Sequence, residues 1–182
     1  MQHTDADVPV ATPFLLCVGT IEPRKNYLSV LKAFEQFHSS YPDYTLVIIG
    51  RKGWQNEALY DYWQQSTAKE AIHIIEDVSD DSLHAYYKAA MAFISASHVE
   101  GFGLPILEAA SCGVPLLVAN NSSQKEILRD FGLSFNNTKE LLAHLILIAE
   151  DSSVLDRLRL KSKELDDDIA SIRKEQFDAL NL

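Results

Sequence analysis

Four side chains in this 182-residue sequence carry chemistry that would combine if the fold brought them together. Arg24 and Lys25 are adjacent cations, followed at once by Asn26, an N-cap candidate. Two cations beside a helix N-terminus suit an anion with several oxygens, a diphosphate above all. Glu100 and Glu108 flank the run Gly101-Phe102-Gly103-Leu104-Pro105-Ile106-Leu107. A carboxylate at the position of Glu108 suits two vicinal hydroxyls, such as those of a ribose. Glu100, nearer the loop tip, is placed to touch a sugar. Gly101 and Gly103 let main-chain N–H groups approach a ligand, and a tight turn needing positive φ accounts for them equally. The alternative readings are solvated loop charges for Arg24 and Lys25, weakened by the strand-glycine turn before them and the N-cap after, and for Glu108 a surface glutamate favoured by the helix dipole.

The elements that must position these groups are legible in the apolar pattern. Phe14-Leu15-Leu16-Cys17-Val18, closed by Gly19, is a short continuous apolar run of the kind found in buried parallel strands. Thr45 to Ile49, closed by Gly50, repeats the plan, and strands follow at 71–75, 91–95, 114–119 and 133–135. Pro115 is tolerable near a strand start. Helices are expected from Tyr27, around Leu59, Tyr62 and Trp63, from Asp80 to Ala90, and after the glycine loop to Cys112. A short one begins near Ser122, and helix runs from Thr138 onward with a break near 151–153. Pro105 fits the first turn of the helix that carries Glu108. Ser123-Gln124-Lys125-Glu126 matches a capping box.

Strands alternating with helices at this spacing predict an α/β fold, a Rossmann-like three-layer αβα sandwich around a six-stranded, mostly parallel sheet. Its crossovers are right-handed. Such a sheet places every loop after a strand on one edge, where ligands of open α/β sheets bind. That edge holds Gly19, Thr20, Arg24 and Lys25 after the first strand and Arg51 and Lys52 after the second. Val78 and Ser79 follow the third strand, and Glu100 to Leu104 the fourth. We read residues 1–12 as a linker or chain end, 13–160 as one domain and 161–182 as a helical tail. In the tail, Leu165, Ile169, Ile172, Phe177 and Leu180 form an apolar stripe that needs a cover.

The composition narrows the classes. A net charge of -10 argues against a nucleic-acid or anionic-membrane surface and makes the Arg24-Lys25 pair stand out. No apolar run approaches the roughly 20 residues of a membrane span, and the N-terminus lacks a signal-peptide pattern. Cys17 and Cys112 read as buried, reduced thiols, and no spacing among Cys and His suits a metal. The chain has neither a P-loop nor the dinucleotide glycine fingerprint, because Gly19 stands alone in its turn. No Ser/His/Asp or Cys/His arrangement can be placed. His98, Trp54 and Trp63 read as packing or loop residues.

Several pieces, in this order, resemble the donor-binding half of retaining nucleotide-sugar glycosyltransferases with the GT-B fold, the glycosyl transferases group one family. They are Val18-Gly19-Thr20-Ile21-Glu22-Pro23-Arg24-Lys25-Asn26, Val47 to Trp54, Val78-Ser79-Asp80, Glu100 to Ala109, Cys112-Gly113-Val114-Pro115 and Asn120-Asn121-Ser122-Ser123. The resemblance covers roughly residues 14 to 150. It implies that Arg24 and Lys25 hold the donor diphosphate, with Gly19 and Thr20 in the same turn, and that Glu108 binds the ribose. Glu100, the Gly101-Phe102-Gly103 amides and Leu104 would face the donor sugar, and Val78-Ser79 would border the base. Arg24, Lys25 and Glu100 would be the catalytic set, by metal-independent stabilisation of the leaving nucleoside diphosphate and front-face positioning of the acceptor. The donor would be a nucleoside-diphosphate sugar, with a mild preference for GDP-mannose, and no cofactor or metal is implied.

The sequence also departs from the family pattern. Lys125-Glu126 stands where Pro-Glu is usual, the tail from Ser162 lacks the expected aromatics, and the acceptor-binding N-terminal half is absent. The chain is then an excised or truncated piece, or one subunit of a split enzyme, binding donor with little transfer of its own. The expected location is the cytoplasm, with any membrane association supplied by the other half. The alternatives are a non-catalytic interaction module or relic and, on the same two-domain scaffold, a nucleotide-sugar epimerase.

Overall fold

A computed structural model describes Val8, Val10 and residues 13–180, apart from the side chains at 122, 123, 173 and 175–180. The strands are β1 (Phe14–Val18), β2 (Thr45–Ile49), β3 (Ile72–Ile75), β4 (Ala92–Ser95), β5 (Leu116–Ala119) and β6 (Leu133–Phe135). The helices are α1 (Tyr27–His38), α2 (Glu57–Gln65), α3 (Asp80–Ala89), α4 (Leu104–Ser111), α5 (Ser122–Leu128), α6 (Thr138–Glu150) and α7 (Ser152–Leu180). All strand pairs are parallel, in the order β3-β2-β1-β4-β5-β6. The chain starts in the middle, winds outward through β2 and β3, and returns to lay β4 on the other side of β1. That reversal opens a crevice between the ends of β1 and β4.

Period-two alternation splits the strands between two apolar layers. Leu15, Cys17, Leu46, Ile48, Ala92, Ile94 and Leu117 face a cluster with Val30, Leu31 and Phe34 of α1 and Leu141 and Leu145 of α6. Phe14, Leu16, Val47, Phe93, Leu116 and Val118 face the opposite cluster, which holds Tyr86, Tyr87, Ile106 and Ala109 of α3 and α4. Because both faces are covered, the strands are continuous apolar runs.

Helix α7 joins both layers. Val154 and Leu158 belong to the first cluster and Leu165 to the second. Ser162, fully buried, donates its hydroxyl to the Val114 carbonyl at 2.5 Å. The apolar stripe of the tail thus finds cover at Leu165 and Ile169, while Ile172 is exposed and the Phe177 and Leu180 side chains lie outside the described residues. Of the N-terminal twelve residues, Val8 and Val10 pack against the second cluster; the rest lie outside the described residues.

One capping expectation is corrected, and the other holds by position but without a side-chain cap bond. Helix α5 is capped by Asn121, whose side chain accepts from Gln124 N–H at 3.0 Å, two residues ahead of the expected Ser123 capping box. Asn26 does precede α1, but it ends a 3-10 turn over Pro23–Lys25 with φ 54, and its carboxamide accepts from the Ser29 hydroxyl at 2.7 Å instead of capping a backbone N–H. Cys112 is also not fully buried; its Sγ lies 3.4 Å from His84 Nδ1.

Candidate functional site

The 3-10 turn after β1 and the loop after β4 meet across the crevice. The His98 N–H donates to the Arg24 carbonyl at 2.8 Å, fastening one loop to the other. Across that seam Lys25 Nζ lies 2.6 Å from Glu100 Oε1, and Arg24 Nη1 lies 2.9 Å from Glu100 Oε2. Arg24 also spans back to Glu22, at 2.6 Å through Nη2, and donates to the Val99 carbonyl at 3.0 Å. Ser97, itself buried, completes the carboxylate by donating to Oε1 at 2.6 Å. Lys25 and Glu100 are each only 9% exposed at the side chain, while Arg24 is 40% exposed. The cluster is therefore sealed on one side and open to solvent on Arg24's.

Burial by itself would raise the Glu100 pKa, but the hydrogen bonds from Lys25, Ser97 and Arg24 outweigh it and hold the carboxyl below its ordinary 4.5. Burial would likewise lower Arg24, and the bonds to Glu22 and Glu100 more than offset it. Two cations face two carboxylates, so their formal charges cancel.

Gly19 makes this packing possible. Its φ is +138°, and a Cβ there would lie 2.9 Å from Lys25 Cε and Nζ and 3.3 Å from Tyr27 Oη. Tyr27 anchors the turn by donating to the Gly19 carbonyl at 3.1 Å. In the second loop only Gly103 requires its glycine conformation, with φ +64° at the start of α4. The tight-turn account of Gly101 is corrected: it has no positive φ, and a Cβ added to it would meet nothing within 4 Å.

The other expected site residues spread along the same edge. Thr20 is exposed next to Gly19, and Phe102 and Leu104 are exposed at 68% and 56%. Ser79 caps α3, accepting from Ser82 N–H at 3.3 Å, and Val78 packs on the second apolar cluster. Glu108 stands apart from the ion cluster. It accepts from Tyr87 Oη at 2.8 Å and lines a recess of about 210 Å³ with Asp80, His84 and Tyr87. Burial, then the Glu108 charge, push the Tyr87 hydroxyl far up. Arg51 and Lys52 turn elsewhere, to Asp77 at 3.5 Å and over the Tyr60 ring at 4.9 Å.

Three residues escaped the sequence reading. Glu22 holds both Arg24 and Trp54 Nε1, the latter at 3.0 Å. Ser97 and Tyr27 fasten Glu100 and Gly19. Glu22, two residues before Arg24 across a proline, carried a signal in its charge; the two hydroxyls carried none.

The model of the family described as "Glycosyl transferases group 1" matches residues 3–165. The chain belongs to that family. As a group 1 domain it is 36% identical over 143 residues to "O-antigen chain mannosyltransferase B" of Escherichia coli, a match covering 77% of the chain and 38% of that protein. The group 1 chain also superposes, with a TM-score of 0.75 and 23% identity, on the C-terminal domain of a glycosyl transferase group 1 family protein from Francisella tularensis, covering 84% of this chain and 83% of that one. A second structure, the pneumococcal O-GlcNAc transferase GtfA in complex with UDP and GlcNAc, matches with a TM-score of 0.77 at 20% identity, over 93% of this chain and 35% of that one. The fold is that of the C-terminal half of GT-B glycosyltransferases. Among the described residues no helix is long and apolar enough to cross a membrane, and no group of three His, Cys, Asp or Glu is placed to hold a metal.

Proposed function

We propose that this group 1 domain binds a nucleoside-diphosphate sugar in the β1/β4 crevice and supplies the donor side of a metal-independent, retaining sugar transfer. The observation that carries the reading is the convergence of Lys25, Arg24 and Glu100, two cations and a carboxylate from opposite sides of the topological switch, within 2.6 and 2.9 Å. On donor binding the phosphate oxygens replace Glu100 on Lys25 and Arg24, and Glu100 is released toward the hydroxyls of the sugar. The cations then stabilise charge developing on the leaving diphosphate, the work that a metal ion does elsewhere. Glu108 takes the ribose hydroxyls from its recess, and the Val78-Ser79 loop borders the base. The open backbone at Gly101, which the fold does not need as glycine, lets a main-chain N–H reach the donor.

The likeness to an O-antigen mannosyltransferase favours GDP-mannose as donor. The chain spans 38% of that relative, and we place acceptor binding in a partner domain or subunit that closes the cleft over the same sheet edge. The decisive experiment titrates the 182-residue chain with GDP, UDP and ADP by calorimetry, with and without EDTA. GDP should bind tightest, unaffected by EDTA, and both Lys25→Ala and Glu108→Ala should weaken it. Absence of binding by any nucleotide at millimolar concentration, or unchanged binding by both variants, would refute the site.

A further inference from the structure

Beyond the ion cluster, on the face of the sheet opposite Glu108, lies a cavity of about 350 Å³, at the low end of small-molecule sites. Its walls are the loops that follow β4, β5 and β6, together with the first turns of α1 and α6. Five of the residues lining it are asparagines: Asn26, Asn120, Asn121, Asn136 and Asn137. Ala96, Ala119, Phe135 and Leu141 form its apolar side, His98 also lines it, and among the described residues no Lys, Arg, Asp or Glu does.

Two of the asparagines have local duties. Asn121 and Asn137 cap α5 and α6, which suffices to explain them. The other three do not cap a helix with their side chains. Asn120 Nδ2 donates to Asn136 Oδ1 at 2.8 Å, tying the β5 and β6 loops together along the rim, while Asn26 Oδ1 accepts from Ser29. Among the described residues this leaves Asn26 Nδ2, Asn120 Oδ1 and the Thr138 hydroxyl without protein partners and open to solvent, since no buried side-chain nitrogen or oxygen there lacks one. They are a donor, an acceptor and a group that is both. Such a set matches adjacent hydroxyls, each of which donates once and accepts twice. Among the described residues a phosphate would find no lysine or arginine here and a metal ion no carboxylate.

The cavity also shares a wall with the ion cluster. The Ser97 hydroxyl donates to Glu100, while its carbonyl accepts from Asn121 Nδ2. A ligand in the cavity would thus lie one residue's thickness from the proposed donor-sugar contact, on the side away from the ribose recess.

We infer that this asparagine-lined cavity holds one neutral hexose unit of a glycan. The inference rests on the donor reading only in taking the ligand to be part of a glycan. The same chemistry could come from the sugar of the donor itself, and the experiment separates the two sources. Amide spectra of the isotope-labelled 182-residue chain are recorded with α-mannotriose, with maltotriose, with GDP and with GDP-mannose.

A neutral trisaccharide is expected to move the Asn120, Asn136 and Thr138 amides, and to do so equally in Lys25→Ala. Asn120→Leu and the isosteric Thr138→Val should each weaken it about fivefold or more while keeping GDP binding and the thermal midpoint. The midpoint identifies a variant that has merely unfolded, and Thr138→Val leaves the Asn137 cap in place. If neither trisaccharide moves these amides at millimolar concentration, the inference fails. It also fails if the shifts centre on Gly101 to Gly103 and vanish in Lys25→Ala, or if only GDP-mannose reaches the cavity. Trisaccharide binding without any nucleotide binding would sink the donor reading and leave this one standing.

Discussion

Two sheltered glutamates in this molecule are satisfied in opposite ways. Glu35 on α1 accepts from neutral groups only: the Tyr62 hydroxyl on one oxygen and, on the other, Ser66 Oγ at 2.7 Å, Thr67 N–H at 2.7 Å and Thr67 Oγ1 at 3.0 Å. Glu100 accepts from two cations and one hydroxyl. The Glu35 partners come from one short stretch at the end of α2, and nothing diffusible would replace them with profit. The Glu100 partners are cations that a phosphate would satisfy equally well. One carboxylate is a fastener between helices; on the donor reading the other is exchangeable. The sequence marks Glu100 by the strand-end glycine loop beside it, whereas Glu35, inside helix α1, carries no such mark.

The contrast is broken most forcefully at Lys25. Lys25→Ala leaves Glu100 sheltered with only Arg24 and Ser97, and should cost about 2–3 kcal/mol of stability, less than a wholly orphaned buried charge. On the donor reading it also lowers GDP affinity by about tenfold or more, since a charge-assisted phosphate contact goes with it. Urea unfolding and calorimetry measure the two effects separately. A variant that lost stability yet bound GDP as before would make Lys25 a fastener like Glu35's partners.

Glu35→Ala should cost about 2 kcal/mol, discounted for its partial exposure, and leave GDP affinity unchanged. The hydrogen bond from Tyr62, then those from Ser66 and Thr67, pull the Glu35 pKa from 4.5 to about 2 against the effect of burial. The folded value is depressed, so its contribution is full above the unfolded value near 4.5 and is lost as pH falls toward 2. Glu100, also depressed, adds in the same direction. Denaturation midpoints at neutral pH and near pH 3 should therefore converge between wild type and Glu35→Ala. A constant gap across that range would contradict the linkage.

A third test separates two glycines that look alike on paper. Gly19→Ala meets both a φ of +138° and the Lys25 side chain, and should cost about 1–3 kcal/mol. Gly101→Ala should leave the unfolding midpoint unmoved, because its Cβ enters open space, while weakening donor binding. Equal stability losses in the two would mean that Gly101 serves the fold after all.

These cases also mark what was legible in advance. Apolar runs closed by Gly19 and Gly50, alternating with helical stripes, located all six strands to within about two residues, as strongly patterned segments allow. Topology then put Arg24, Lys25 and Glu100 on one edge. Their mutual contact was not legible: it depends on two loops about 75 residues apart being seated by the His98 to Arg24 backbone bond. Nor was the α5 cap, because Asn121 and Ser123 are nearly equal caps by residue type and the contacts that seat Asn121, to the Ser97 carbonyl and to Gln124, come from the fold. The asparagine cavity is assembled from three loops and two helix starts, so no local pattern announces it.

The smallest effect bears most directly on exchangeability. Glu100→Gln keeps the shape of the side chain and removes the charge that competes for Lys25 and Arg24. Were Glu100 only a fastener, the variant would lose stability and bind GDP no better. If phosphate must displace it, the vacated cations should bind GDP a few-fold more tightly, because part of the electrostatic cost of exchange has gone. The gain should shrink as salt screens the partly exposed Arg24. GDP-mannose should not share the gain, since the same substitution weakens the contact to the sugar hydroxyls. A Glu100→Gln chain with GDP and GDP-mannose affinities shifted by the same factor would show that the carboxylate competes for the diphosphate without touching the sugar. It would then remain a gate on the cations, and the sugar contact would have to come from the Gly101–Gly103 backbone alone.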